Sequence, residues 1–318
     1  VSGVTGRRRG ERRRWPRILL ILFGGLVVVA AGLLVALHLT SPPRLDVTQP
    51  GRPLPDDWLV AEEGPDAVSS EADPAAFEAP DSGFVTLGQL AFYGRGRPFG
   101  VERYEIRGDG DSVVLSSTGE FRFSAVVTTI RVGFEQRLET DARLAPTSYE
   151  ATFDAPLGLG RKIETVIANG VARTTSAGEE AVSPVGADTV VLGTFGTYAL
   201  LPLLFPERER DGFASFEVLF LGGSPNGEEG NATRVTVERV SPVGLLAEGL
   251  RIDADAYIVS SPFGETLLLA KGGELLALLA GGGRETLAVV RSDFFPDGFE
   301  LVDPASLDRI GPLPSVIP

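Results

Sequence analysis

The chain has 318 residues, no cysteine and a single histidine, His38. Disulfides, thiolate metal sites, cysteine nucleophiles, serine–histidine triads and imidazole proton transfer are therefore excluded. The net charge is −14, but residues 1–17 carry seven arginines against Glu11, so the remainder carries −20. That balance excludes nucleic acid as a partner of the body, since phosphate affinity rests on Lys and Arg.

After the basic tail of residues 1–17 comes an uncharged run from Ile18 to Leu39. As an α-helix it reaches about 33 Å at ~1.5 Å per residue, enough for a hydrocarbon core of ~30 Å. A helix also satisfies its own backbone polar groups in lipid. The run predicts one transmembrane helix over 18–39, with the lipid bilayer as its partner. The arginines place the N-terminus inside and the later residues outside, at a bacterial cytoplasmic membrane. A cleavable signal peptide is the alternative; its apolar region is usually ~7–15 residues, shorter than this one. Scarce Lys beside abundant Arg, Ala, Gly and Val suits a GC-rich bacterial genome.

Residues 40–83 read as a linker. Eight prolines and ten acidic residues against two arginines oppose a helix or a central strand and keep the segment extended. Trp58-Leu59-Val60 is an apolar patch in it that can dock on the folded part.

From Phe84 to 303 the pattern turns to period two, the mark of β-strands with one wet face. Tyr104 and Ile106 alternate with Arg103, Glu105 and Arg107. Gly108-Asp-Gly-Asp111 reads as a tight turn. In Glu120–Phe134 the apolar residues sit at odd positions (Phe121, Phe123, Ala125, Val127) and then at even ones (Ile130, Val132, Phe134). A bulge near Thr128-Thr129 in one long bent strand accounts for that change and implies a curved sheet. Tyr149, Ala151 and Phe153 alternate next, and Asn169-Gly170 is a two-residue hairpin turn. Residues 176–187 are small and polar, a loop. Phe195–Phe205 is an apolar run broken by Pro202. It suits a short helix, a lid over a cavity mouth, or a core-packing connector.

Phe216–Leu221 is a buried strand, and Leu250–Ile258 alternates cleanly. Leu267–Leu276 forms a hairpin with Gly272-Gly273 at its tip, although Leu275–Ala280 also suits a short helix. Leu287–Arg291 is a last strand before a Pro-rich tail, 304–318. The fold class is mainly β, a curved antiparallel sheet or incomplete barrel preceded by one transmembrane α-helix.

Several short segments, Arg103-Tyr104-Glu-Ile106, Ala145-Pro-Thr-Ser-Tyr149, the apolar run after Asp188, Phe216-Glu-Val-Leu219, and Gly273-Glu-Leu-Leu276 before Val290-Arg291, follow one another in order. That order resembles uncharacterised exported bacterial proteins with lipoprotein-carrier-like half-barrels. The resemblance implies a concave sheet face that holds an acyl chain or another apolar ligand. The membrane tether departs from it, because a tethered body does not shuttle freely.

Three functions follow as expectations. The first is non-enzymatic binding of a lipid-like or apolar ligand at the cell envelope, in a cavity lined by Phe121, Phe123, Phe216 and Phe220. The second is a structural or interaction module of an envelope protein complex with no small ligand. The third is a carboxylate-dependent hydrolase. No catalytic, cofactor-binding or metal-ligating residue stands out, and no cofactor is expected.

Overall fold

A computed structural model describes residues 52, 54–58, 83–125, 128–156, 160–209, 211–221, 232–261, 264–280, 287–302 and 316–317. The predicted helix 18–39, the tail 1–17 and most of the linker lie outside the described residues. Among those described, no helix is long and apolar enough to cross a membrane. The main body comprises 44–122 and 131–318, and residues 123–130 fall outside it.

The body is mainly β, one large, open, curved sheet. Its first strands are β1 (Phe84–Gly94), β2 (Arg97–Gly108), β3 (Ser112–Ala125) and β4 (Thr128–Asp141). Next come β5 (Pro146–Asp154), β6 (Arg161–Ala168), β7 (Val171–Ser176), β8 (Glu179–Pro184) and β9 (Thr189–Leu192). A 3-10 segment, Phe195–Leu200, runs into a helix, Leu201–Arg208. The chain returns through β10 (Phe213–Phe220), β11 (Ala232–Ala247), β12 (Leu250–Ser261), β13 (Gly264–Lys271), β14 (Glu274–Ala280) and β15 (Leu287–Arg291). Two short strands, β16 (Phe299–Val302) and β17 (Val316–Ile317), close the sequence of elements.

Pairing follows the chain from β1 through β8. On its other side β1 pairs with β15, which leads back through β14, β13, β12 and β11 to β10 and β9. β16 lies along the C-terminal part of β11, and β17 along β16. These pairs are antiparallel, except that β9 and β10 run parallel. The two sheet ends, β8 and β9, are four residues apart in sequence, and no ladder joins them among the described residues. Register shifts at Phe92/Tyr93, Glu139/Thr140, Val240/Val243 and Leu269/Ala270 mark bulges, which bend a strand and raise its twist.

Two predicted turns are formed as expected. Asn169 and Gly170 join β6 to β7 with φ of 53° and 74°, the left-handed pair of a two-residue hairpin. In the 108–111 turn, Asp109 Oδ1 accepts from the N–H of Asp111 and from the N–H and hydroxyl of Ser112.

Three predicted elements differ. The stretch 120–134 is two strands rather than one bulged strand: β3 ends at Ala125 and β4 begins at Thr128. Two antiparallel strands that set odd residues of one beside even residues of the other produce the same odd-to-even change as a bulge. Phe121 and Phe134 accordingly stack at 4.8 Å. Residues 179–184, read as loop, form β8; its two glutamates and Pro184 discourage pairing at a sheet edge. Leu275–Ala280 belongs to strand β14 rather than to a helix.

The sheet has two apolar cores. One lies on the face that carries Tyr104, Ile106, Leu115, Leu138, Tyr149 and Ile163, and continues to Val218, Leu268 and Val289. The other lies on the opposite face of β11–β15 and the end of β1, where Leu245, Ile252, Leu267, Leu269 and Val290 pack under Phe294, Phe295, Phe299 and Leu301. Trp58 joins this second core. It is 6 % exposed and meets Phe294 edge-on at 5.2 Å. Part of the linker therefore docks, as its apolar residue suggested; Leu59 and Val60 lie outside the described residues.

Candidate functional site

Glu102 stands in the inward row of β2, two residues before Tyr104, and is fully buried. Its oxygens are taken up by four donors. Ser117 Oγ at 2.5 Å, Thr194 Oγ1 at 2.6 Å and Gln136 Nε2 at 3.0 Å donate to Oε1, and the Gly196 N–H donates to Oε2 at 2.8 Å. Gln136 Oε1 in turn accepts from the Tyr149 hydroxyl at 3.1 Å and from the Thr194 N–H at 3.1 Å. Thr197 Oγ1 accepts from the Gly193 N–H at 3.0 Å and donates to the Thr194 carbonyl at 2.7 Å.

The cluster ties five elements together: β2, β3, β4, β5 and the segment after β9. Gly196 is required by the close approach, because a Cβ there would sit 2.4 Å from Glu102 Oε1. Burial raises the Glu102 pKa above its ordinary value, and the donors pull it down without cancelling the rise. Ser117 and Thr194 hydroxyls rotate, so the cluster accepts either the carboxylate or the protonated acid.

What the clasp holds is the apolar run predicted at 195–205. Ala199, Leu200, Leu201, Leu204 and Phe205 are buried within the first core. Phe195 packs on Phe92 at 4.8 Å, and Phe205 on Phe216 at 6.2 Å and Tyr257 at 4.7 Å. Pro202 stands in the first turn of the helix, where its missing N–H costs nothing. Burial pushes the Tyr198 hydroxyl up to about 12. Of the three readings open for this run, two hold together: it contains a short helix, Leu201–Arg208, and it is a core-packing connector by its burial.

A second buried cluster surrounds Arg291, which ends β15 with no exposed surface. Nε and Nη2 donate to the two oxygens of Asp293 at 2.8 and 2.9 Å. Nη1 donates to Glu274 Oε2 at 2.9 Å and to the Tyr104 hydroxyl at 2.7 Å. The guanidinium lies 4.3 Å from the Phe294 ring centroid. Burial works against its charge, yet Tyr104, Asp293 and Glu274 hold its pKa above the ordinary value. Tyr104 reaches it across β1 only because residue 88 is glycine: a Cβ there would meet the Tyr104 ring at 2.3 Å. Arg52 from the linker extends the cluster. Its N–H donates to the Asp293 carbonyl at 2.6 Å and its guanidinium lies 5.4 Å from the Phe294 ring.

The four predicted cavity residues are spread over the sheet. Phe121 stacks with Phe134 and lies 5.5 Å from Phe92, at the border of the first core. Phe216 is inside that core against Phe205, and Phe220 packs against it from β10. Phe123 is 42 % exposed. A cleft of about 600 Å³ lies elsewhere, across the starts of β1 and β3 and the end of β2; Val85, Glu105, Arg107, Val114, Ser116 and Arg137 line it. Sequence reasoning missed Glu102 and Arg291. A signal existed for the first: extending the Tyr104–Ile106 alternation back two residues puts Glu102 in the buried row.

Chemically, both clusters are saturated. Glu102 is sealed from solvent, and in the other cluster the Arg291 guanidinium donates to both Glu274 and Asp293. The fold defined by these elements is an open, curved β-sheet with its inner face covered by its own chain. No protein-family model matches the chain, and no curated protein matches it. Among solved structures it is similar to a β-barrel-like protein of a domain of unknown function, DUF1849, from Brucella abortus. The identity is 9 % and the TM-score 0.44, over 64 % of this chain and 95 % of that one. It is also similar to a DUF1089 family protein from Pseudomonas aeruginosa at 16 % identity and TM-score 0.35, over 66 % of this chain and 95 % of that one.

Proposed function

We propose that this chain is a non-enzymatic structural or interaction module, tethered to a bacterial cytoplasmic membrane by residues 18–39, with its β body outside. The observation that supports this reading is the filling of the inner sheet face by Phe195–Phe205, fixed through Glu102. A body whose interior is occupied by its own chain offers partners its surface. Docking of Arg52–Trp58 also shortens the tether. Thirteen residue steps separate Leu39 from Arg52, and at up to ~3.6 Å per step they span at most ~47 Å.

A second reading is binding of a lipid-like ligand in the place of Phe195–Phe205. The rings that the segment covers, Phe92 under Phe195 and Phe216 and Tyr257 under Phe205, favour it. One experiment separates the two. The full chain is purified in detergent, exchanged into lipid-free amphipol, and extracted for mass spectrometry. Absence of a stoichiometric lipid supports the interaction module; one retained lipid per chain supports the second reading. Protease added to spheroplasts tests the tether: the body is cut from outside if it is extracytoplasmic, and only after lysis if it is not.

A further inference from the structure

On β1 the alternate side chains of one face form the row Val85, Leu87, Gln89, Ala91 and Tyr93. Ala91 and Tyr93 lie in the second core, and Gln89 is buried. Leu87 is 58 % exposed and Val85 60 %. The cover on this face therefore stops at residue 87. The docked linker reaches the same point: Arg52 Nη1 donates to the Leu87 carbonyl at 3.5 Å, and Arg291 Nη2 donates to it at 3.3 Å.

Beyond that point the face is hollow. The cleft of about 600 Å³ lies over Val85, Arg107 and Val114, which stand side by side on β1, β2 and β3. A second cleft of about 400 Å³ lies over Leu87 and Arg103 and shares Glu105 and Ser116 with the first. Together they make a trough in which bare apolar side chains alternate with arginines. Arg107 and Arg137 pair with Glu105 and Glu139 in largely exposed contacts, which contribute little in water and exchange readily. Arg103 donates to a neutral partner, Gln89 Oε1, at 3.1 Å. The three arginines offset Glu105, Asp109 and Glu135, so this face is neutral in a chain that carries −20 beyond residue 17. An acidic segment is repelled by the remainder and not by this face.

Such a segment lies next to it in the chain. Residues 59–82 hold seven acids and no base, together with Leu59, Val60, Val68 and Phe77. They belong to the same main body as the trough. The residue before them, Trp58, is fixed in the second core, and the residue after them, Gly83, lines the first cleft. Twenty-five residue steps separate Trp58 from Gly83, a reach of up to ~90 Å at ~3.6 Å per step. A segment joined to the body at both ends meets its surface at an effective concentration on the order of millimolar. We propose that residues 59–82 dock in this trough, with carboxylates on Arg103, Arg107 and Arg137 and apolar side chains over Val85 and Leu87. The segment then competes for this face with any partner, which must displace it to bind there.

The chain has no cysteine, so a single introduced thiol reads the cover. Val85→Cys is made in the full chain, held in detergent, and reacted with an uncharged maleimide. Val166→Cys, at a β6 position that is also 60 % exposed, is the reference. The proposal expects severalfold slower reaction at 85 than at 166, with the gap narrowing in about 1 M salt as the ion pairs are screened. Replacing 59–82 by Gly and Ser of equal length should raise the rate at 85 to that at 166 and leave 166 unchanged. Leu87→Cys gives a second reporter should Val85→Cys fold poorly. Equal rates at 85 and 166 in the parent chain overturn the proposal. So does slow reaction at 85 that survives the replacement, which marks another cover, or slow reaction that vanishes on dilution, which marks a second copy. The readout is the same whether or not residues 18–39 span a bilayer, so its failure is distinct from failure of the tether.

Discussion

In β6, burial alternates: Ile163 and Thr165 are covered while Lys162 and Glu164 stand in water. In β13, Leu267, Leu268, Leu269 and Ala270 are all covered. Both strands sit in one continuous sheet. The difference is what lies outside them. β5–β8 have a core on one face only, whereas β11–β15 carry a second core made by Phe294–Leu301 and the docked Trp58. A strand clothed on both faces gains apolar burial at every residue, about 1.5–3 kcal/mol for each large side chain fully buried. A strand clothed on one face gains it at every second residue. The lesson is that the C-terminal strands form a rigid base, and the strands from β5 to β8 form a thinner wall.

The largest expected effect comes from the buried cluster at the end of β15, in the base. Arg291→Met leaves Asp293 without its cation, Glu274 with only Arg52 at 4.0 Å, and Tyr104 without its partner. Removing one partner of a buried ion pair costs about 3–5 kcal/mol, so the urea midpoint should fall steeply with an unchanged slope. Next, Leu268→Ala and Leu269→Ala should each cost about 2–5 kcal/mol although they are adjacent and face opposite ways. In β6, Ile163→Ala should cost a similar amount while Glu164→Ala leaves the midpoint where it was. Equal sensitivity at 163 and 164 would break the comparison.

Glu102→Gln is expected to cost about 1–3 kcal/mol, because an amide offers one acceptor to four buried donors. Its pH dependence carries a definite sign. Burial holds the folded-state pKa of Glu102 above the ordinary 4.5, so the folded chain binds this proton more tightly than the unfolded chain. The group's contribution to stability therefore grows as pH falls through the raised pKa toward 4.5, and is constant below it. The gap between the parent and Glu102→Gln should widen on acidification from neutral pH, read by urea titrations at a series of pH values. The smallest effect belongs to Lys162→Ala. Its salt bridges to Glu150 and Glu164, at 2.8 and 2.7 Å, join half-exposed side chains, and no change in midpoint is expected.

Much of this contrast was legible in the chain. The unbroken run Leu267–Leu-Leu-Ala and the run from Leu275 to Ala280 are what two-sided burial demands, and the alternation at Tyr149–Phe153 is what one-sided burial demands. The period-two signal is local, so it located strands well. It failed at 120–134, where a bulge and a hairpin leave the same parity change and only long-range pairing tells them apart. Arg291 was illegible for the same reason. Its partners Tyr104, Glu274 and Asp293 come from three separate stretches, and a lone arginine at the end of a strand carries no sign of them. The apolar run 195–205 was visible, but its place in the interior depends on Gly196 meeting Glu102, a contact 94 residues apart.

Hydrogen exchange of the amides from 193 to 205 in the full-length chain tests most directly whether the interior is filled by the chain itself. Protection of the Gly196 amide comparable to that of the central amides of β4 and β5 is the expected result, and Glu102→Gln should reduce it first at Gly196. Exchange of 193–205 at the rate of an exposed loop, with β4 and β5 still protected, would contradict a filled interior.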